Sequence, residues 1–197
     1  MDKIIQKLSE IEPLNPAQHE ALLALQPFMK NFTLKKGQYL YQYGDIPDYV
    51  VFIDFGILRH VINDSNENEK ILRFYMEDDF IEDCQSFNEQ KPVEYSVQAL
   101  EDCELSYFKF MEVVHLYTEY PEFAKIGRKM TESNASIHVG HLTLLMKFNP
   151  DERYQYIMKN EPHLIRRLTV THLAQYLDLS RETLSRIRAK VVGNGIM

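Results

Sequence analysis

The sequence predicts an α+β protein: a body of short strands, then one long helix, then a C-terminal helix–turn–helix. Three observations carry that prediction. From about Phe28 to Phe110, β-prone residues fall in short runs separated by Gly37, Gly44–Asp45, Asp54–Phe55–Gly56 and the polar stretch 63–68. Such runs at roughly 8–12-residue spacing indicate a sandwich or barrel. Next, Phe123, Ile126, Met130, Ser133, Ile137, Gly140 and Leu144 stand alternately three and four residues apart, an a/d seam at helical period. Finally, Thr169 and Ser180 each precede a short helical pattern, and both are good N-caps.

Composition bounds the rest. The chain has 197 residues, 45% hydrophobic and 26% charged, which suits one large or two small globular domains. No apolar run approaches the ~20 residues of a membrane span, and the charged, amphipathic start MDKIIQKLSEIEPLN is no secretory signal. With Cys84 and Cys103 alone, a disulfide framework is not expected, and a cytoplasmic location fits. Charge is unevenly spread. Residues 1–150 hold 14 Lys and Arg against 24 Asp and Glu, whereas residues 151–197 hold 8 against 5. An acidic body with a basic end suits a DNA-binding module on a regulatory domain.

The elements follow in order. Residues 3–25 carry apolar positions at helical spacing with a break at Pro13–Pro16. Together with the strands they make up an expected domain over 1–120. The long helix is expected over 121–148, with Pro121 at its start. Its narrow seam favours a two-helix coiled coil, and so a homodimer, over packing on its own domain, which usually needs a wider stripe. Residues 149–197 form the helix–turn–helix domain. There Leu173, Leu177, Leu179, Leu184 and Ile187 occupy the packing positions, Ala174 the crossing, and Asp178 the turn position that favours a left-handed residue.

Placed at 100° per residue, the second helix puts Arg181, Glu182 and Arg186 within roughly 140° of one another, away from Leu184 and Ile187. Arg donates two bonds to guanine and Glu accepts one from cytosine, so these three residues are the expected base readers. Thr169, Ser180 and Thr183 are the expected phosphate contacts. An ordinary solvated face would not need caps, crossing Ala and packing leucines all in phase.

SRETLSRIRAK resembles the recognition helix of the CRP/FNR family of bacterial transcription regulators, including its Arg-Glu-x-x-x-Arg spacing. KKGQYLYQYGDIPDYVVFIDFGILR resembles that family's cyclic-nucleotide-binding-type β-roll, a jelly roll, with Gly37, Gly44 and Gly56 at its turns. EDDFIED resembles the lead into its phosphate cassette, and residues 122–148 its dimerisation helix. NPDERYQYIMKNEPHLI with the short tail resembles the Bacteroidetes branch. The resemblance implies transcription regulation and no enzyme activity. It also implies a homodimer on a palindromic TGTGA-like site in double-stranded DNA, with RNA polymerase as a further partner. Regulation would come through the relative orientation of the two recognition helices, whose half-sites lie about 34 Å apart.

The resemblance also places an effector pocket at Glu82, Asp83, Val93, Glu94, Ser133 and Asn134. Family members that hold cAMP pair its phosphate with an arginine, but the matching positions here are Val93–Glu94, and Glu82 and Glu94 add negative charge. No cAMP is therefore expected through the usual contacts, and the effector is a different one or none; no cofactor or metal is expected. His60, His138 and His141 are the candidate haem ligands, though lone histidines are commoner as surface or core residues. Cys84 and Cys103 could form a redox pair, though inert buried thiols are commoner. Tyr39, Tyr41 and Tyr43 suit one strand face, with Tyr49, Tyr75 and Tyr95 nearby, for core packing or an aromatic pocket. After Arg188 too few residues remain for a β-hairpin wing. The rival classes are a dimeric regulator whose helix–turn–helix contacts protein, and a cupin-like β-roll enzyme, for which the β region offers His60 alone.

Overall fold

The structure, a computed structural model, describes residues 1–193 and the side chains of residues 1–191. Two helices lead the chain, α1 (Asp2–Ile11) and α2 (Pro16–Leu25). Asn15 caps α2 with a reciprocal box: its side chain accepts from the Gln18 N–H, and Gln18 Oε1 accepts from the Asn15 N–H, each at 2.9 Å. Pro16 follows as the first helical residue, where its missing N–H costs nothing.

Eight strands then form two four-stranded antiparallel sheets. One has the order β1 (Lys30–Leu34), β8 (Cys103–Lys109), β3 (Tyr49–Phe55), β6 (Phe80–Ile81). The other runs β2 (Tyr39–Tyr41), β7 (Ser96–Ala99), β4 (Leu58–Asn63), β5 (Glu69–Tyr75). Short α3 (Cys84–Glu89) joins β6 to β7. The predicted β-roll is present. Gly56, between β3 and β4, has φ +109°, and a Cβ there would lie 2.5 Å from Cys103 Sγ. Only glycine fits that approach. The three tyrosines do not share one strand face: Tyr41 is buried, whereas Tyr39 and Tyr43 are exposed. The register of β2 on β7 shifts between Tyr39 and Tyr41, which breaks the simple alternation.

The chain packs as two compact units. The first comprises residues 1–61 and 74–136, and the second residues 62–73 with the chain from Ile137 onward. In the first unit, α4 (Phe110–Glu119) and the beginning of α5 (Pro121–Lys147) pack with the leading helices. This corrects the expected seam over its first half. Phe123, Ile126 and Met130 lie in one buried cluster with Ile4, Leu8, Leu22, Phe52 and Leu116, so their partners belong to the same chain. Leu144 is also buried within the chain, at 3% exposure, while Ile137 and Gly140 are exposed and Ser133 is half-buried. The long helix is thus divided between the units, rather than forming the separate segment 121–148.

The second unit contains the outer part of the β4–β5 hairpin, the end of α5, then α6 (Pro150–Asn160), α7 (Pro162–Arg167), α8 (Val170–Tyr176) and α9 (Arg181–Gly193). Arg153 on α6 fastens it. Its guanidinium donates to the carbonyls of Leu145 at 2.6 Å, Phe148 at 2.9 Å and Leu177 at 2.9 Å. These carbonyls end α5 and α8, where helices leave acceptors unpaired.

Candidate nucleic-acid interface

The helix–turn–helix is built as its sequence requires. Thr169 Oγ1 accepts the His172 N–H at 3.2 Å and caps α8; Ser180 Oγ accepts the Thr183 N–H at 3.1 Å and caps α9. Leu173, Ala174, Leu177, Leu184 and Ile187 are buried, and Leu179 is half-buried. Asp178 takes the left-handed conformation, φ +53°, and the Leu179 N–H reaches the Ala174 carbonyl at 2.9 Å to close α8. The Asp178 carboxylate also receives the Lys70 ammonium at 2.6 Å. Lys70 lies on β5, so the hairpin joins the helix–turn–helix within this unit. Nothing in the local sequence around residue 178 announces that partner.

Arg181, Glu182 and Arg186 are all exposed on α9, on the side opposite its buried leucine and isoleucine. Thr169 and Ser180 are exposed beside them and Thr183 is half-buried. Arg186 Nη2 lies 3.4 Å from Thr183 Oγ1. The expected site residues of this face are therefore brought together. Helix α9 continues to Gly193, and the positions 194–197 of the short tail lie outside the described residues.

His141, one of the candidate haem ligands, serves packing. Its Nε2 donates to the Tyr176 carbonyl at 2.8 Å, and its ring stacks on that of Tyr176 at 4.0 Å. Burial pushes its imidazole below the ordinary histidine range, and burial does the same to His138, with Arg73 adding to it. In the roll, His60 is buried between Tyr75 and Tyr95, with ring centroids 6.2 and 4.1 Å away.

The residues assigned to an effector pocket are only partly assembled. Glu82 accepts from Thr131 Oγ1 at 3.4 Å and from the Cys84 thiol at 3.7 Å, and it bonds the side chain of Asn134. Burial raises its carboxyl above the glutamate range despite these bonds. Asp83 is committed elsewhere, accepting the Tyr95 hydroxyl and the Ser86 N–H, each at 2.7 Å. Val93 is a core residue and Glu94 faces solvent. Thr131 was missed in the sequence because one exposed threonine on a helix carries no signal. Both thiols are free; burial pushes Cys84 up to about 12 and Cys103 up to about 11, so neither is a ready thiolate.

Residues 31–120 match the cyclic nucleotide-binding domain family. The transcriptional regulatory protein btr of Bordetella pertussis is 24% identical over 175 residues, 83% of this chain and 72% of that protein. FixK2 from Bradyrhizobium japonicum superposes with a TM-score of 0.74 at 19% identity, covering 85% of this chain and 86% of that one. The c-di-GMP-responsive regulator CLP of Xanthomonas campestris gives 0.70 at 16% identity, covering 92% and 94%. A protein of Eubacterium rectale assigned to the crp/fnr family of transcriptional regulators gives 0.66 at 17%, covering 93% and 86%. The chain has the fold of CRP/FNR-type regulators. Both the btr protein and the Eubacterium rectale protein bear the name of transcriptional regulators, and neither name is that of a β-roll enzyme. Among the described residues, no helix is long and apolar enough to cross a membrane.

Proposed function

We propose that the chain is a CRP/FNR-type transcription regulator that binds double-stranded DNA as a homodimer and reads a palindromic TGTGA-like site with Arg181, Glu182 and Arg186. The observation that carries this reading is their joint exposure on a capped helix whose other side is buried. Phosphate contacts from Thr169 and Ser180 fix the register of that helix without adding sequence information. The rival in which the helix–turn–helix meets a protein leaves the guanine- and cytosine-matching groups unexplained.

A second copy of the chain is the proposed partner of α5, through a face different from the expected seam. Val139, Leu142 and Met146 are 62%, 56% and 80% exposed. With exposed Ala135 they repeat at four, three and four residues along one stripe, the pattern of a two-helix seam. Leu142→Glu would place a charge in that seam and is expected to turn a dimer into a monomer in light scattering. A monomeric wild type at micromolar concentration would count against this interface.

The same reading has no cAMP held in the usual way. The acidic Glu82 and Asp83 support that reading, since both disfavour a phosphate nearby. The test of function is fluorescence anisotropy of the ligand-free protein on a TGTGA-N6-TCACA duplex and a scrambled duplex across a salt series. Tighter binding to the palindrome is expected. Equal, weak binding to both duplexes, unchanged by added nucleotides, would overturn the site assignment.

A further inference from the structure

Thr183 was expected to hold a phosphate, but its hydroxyl oxygen already has two neighbours. Ser180 Oγ donates to Thr183 Oγ1 at 3.0 Å, and Arg186 Nη2 donates to the same oxygen at 3.4 Å. Ser180 Oγ in turn accepts the Thr183 N–H at 3.1 Å. The cap of α9 thus extends through one hydroxyl to a guanidinium one turn along the same face. A threonine oxygen accepts two hydrogen bonds, so both contacts fit its capacity.

We infer that Thr183 is a positioning residue for Arg186, and that base discrimination, not phosphate affinity, is what it supplies. The inference rests on the proposal that α9 reads DNA. Arginine has many rotamers, and fixing one on binding costs conformational entropy. A tether at one Nη2–H removes part of that freedom before DNA arrives. Four of the five guanidinium N–H groups remain, enough for a two-bond contact with a guanine edge. Thr183 is β-branched and therefore stiff about its own Cα–Cβ bond, which makes it a firmer tether than a longer side chain would be. Its own O–H can still donate, so direct phosphate contact is the rival role. The two roles differ in what they predict: a phosphate contact affects every sequence alike and adds to the salt dependence, whereas a tether acts only at the base that Arg186 reads.

The test uses the full chain and anisotropy on the TGTGA-N6-TCACA duplex and its symmetric single-base variants, at several salt concentrations. Arg186→Ala first identifies the base pair at which discrimination is lost. Thr183→Ala is then expected to lose discrimination at that same pair by about threefold to tenfold, the worth of one hydrogen bond, with the salt slope unchanged. Thr183→Ser should restore it, and Thr183→Ala should add nothing in the Arg186→Ala background. Alanine keeps the backbone N–H to Ser180, so the cap survives, and thermal melting checks that the fold does too. A uniform loss across all duplexes with the salt slope reduced by about one would overturn the inference and restore the phosphate role. No change in discrimination, or losses that add in the double variant, would overturn it as well. In each of those cases DNA reading by α9 stands; a wild type indifferent to every duplex would instead remove that reading itself.

Discussion

Burial holds the Glu82 carboxyl above the ordinary glutamate value of 4.5, against the opposing pull of hydrogen bonds from Cys84, Thr131 and Asn134. A raised folded-state value means that the neutral acid is the better tenant of the folded site. Its contribution to stability is full below about pH 4.5 and is lost as pH rises through the folded value. At neutral pH the ionised group therefore weighs against folding. Glu82→Gln, which keeps the shape and drops the charge, is expected to raise the melting temperature at pH 7 by a few degrees, roughly 2–4 °C per kcal/mol for a chain of this size. The gain should disappear below pH 4.5. An unchanged or lower melting temperature at pH 7 would contradict the assigned direction. Residues of this kind were half legible. The acidic pair Glu82–Asp83 stood out in the sequence, but its split did not, with one carboxyl at α5 and the other on Tyr95. By contrast, Asp178 in the turn and Gly56 between strands could be read directly, because a left-handed backbone restricts residue choice locally.

Caps and periodicities located the helices and strands, and Thr169, Ser180, Pro121 and the Asn149–Pro150 start all fall where helices begin. Arg153 was passed over, since an arginine on an amphipathic helix looks like surface charge. In the structure its three carbonyl partners close the ends of α5 and α8. Hydrogen bonds to a charged donor are worth about 1.5–3 kcal/mol each when fully buried, and less at a half-buried residue. Arg153→Ala is expected to destabilise the C-terminal unit by about 2–3 kcal/mol. Hydrogen exchange of α6 and α8 amides would show faster opening there, with the roll little changed. Equal protection in both proteins would mean that water replaces the arginine at those carbonyls.

The acidic body and basic end correspond to two packed units, but the dividing line is not where composition changes. The hairpin 62–73 clusters with the C-terminal helices, although it belongs in sequence to the strands. Within that unit His138 and His141 are pushed below the ordinary histidine value of 6.5, burial being the largest cause for each. The groups facing them include Arg73 for His138, and Arg153 with the Tyr176 and Leu72 carbonyls for His141. A lowered folded value means that stability is full above about pH 6.5 and is lost as pH falls below it. The melting temperature should therefore drop between pH 7.5 and 5.5, and the drop should shrink in His141→Gln. A pH profile identical in the two proteins would assign the drop to other groups.

The sequence by itself determined the order of elements, the turns that glycine or aspartate favours, the capped helix pair and the charged face of α9. Each of these follows from short-range sterics, hydrogen bonding or helical period, which act within a few residues. Only the tertiary structure decided what each buried stripe is buried against. The seam from Phe123 to Leu144 shows the reason. An apolar repeat records that a face leaves water, and burial is non-directional, so the repeat does not say whether the cover comes from the same chain or another. The packing of α1 and α2 settled that for Phe123, Ile126 and Met130, and left Val139, Leu142 and Met146 uncovered on α5.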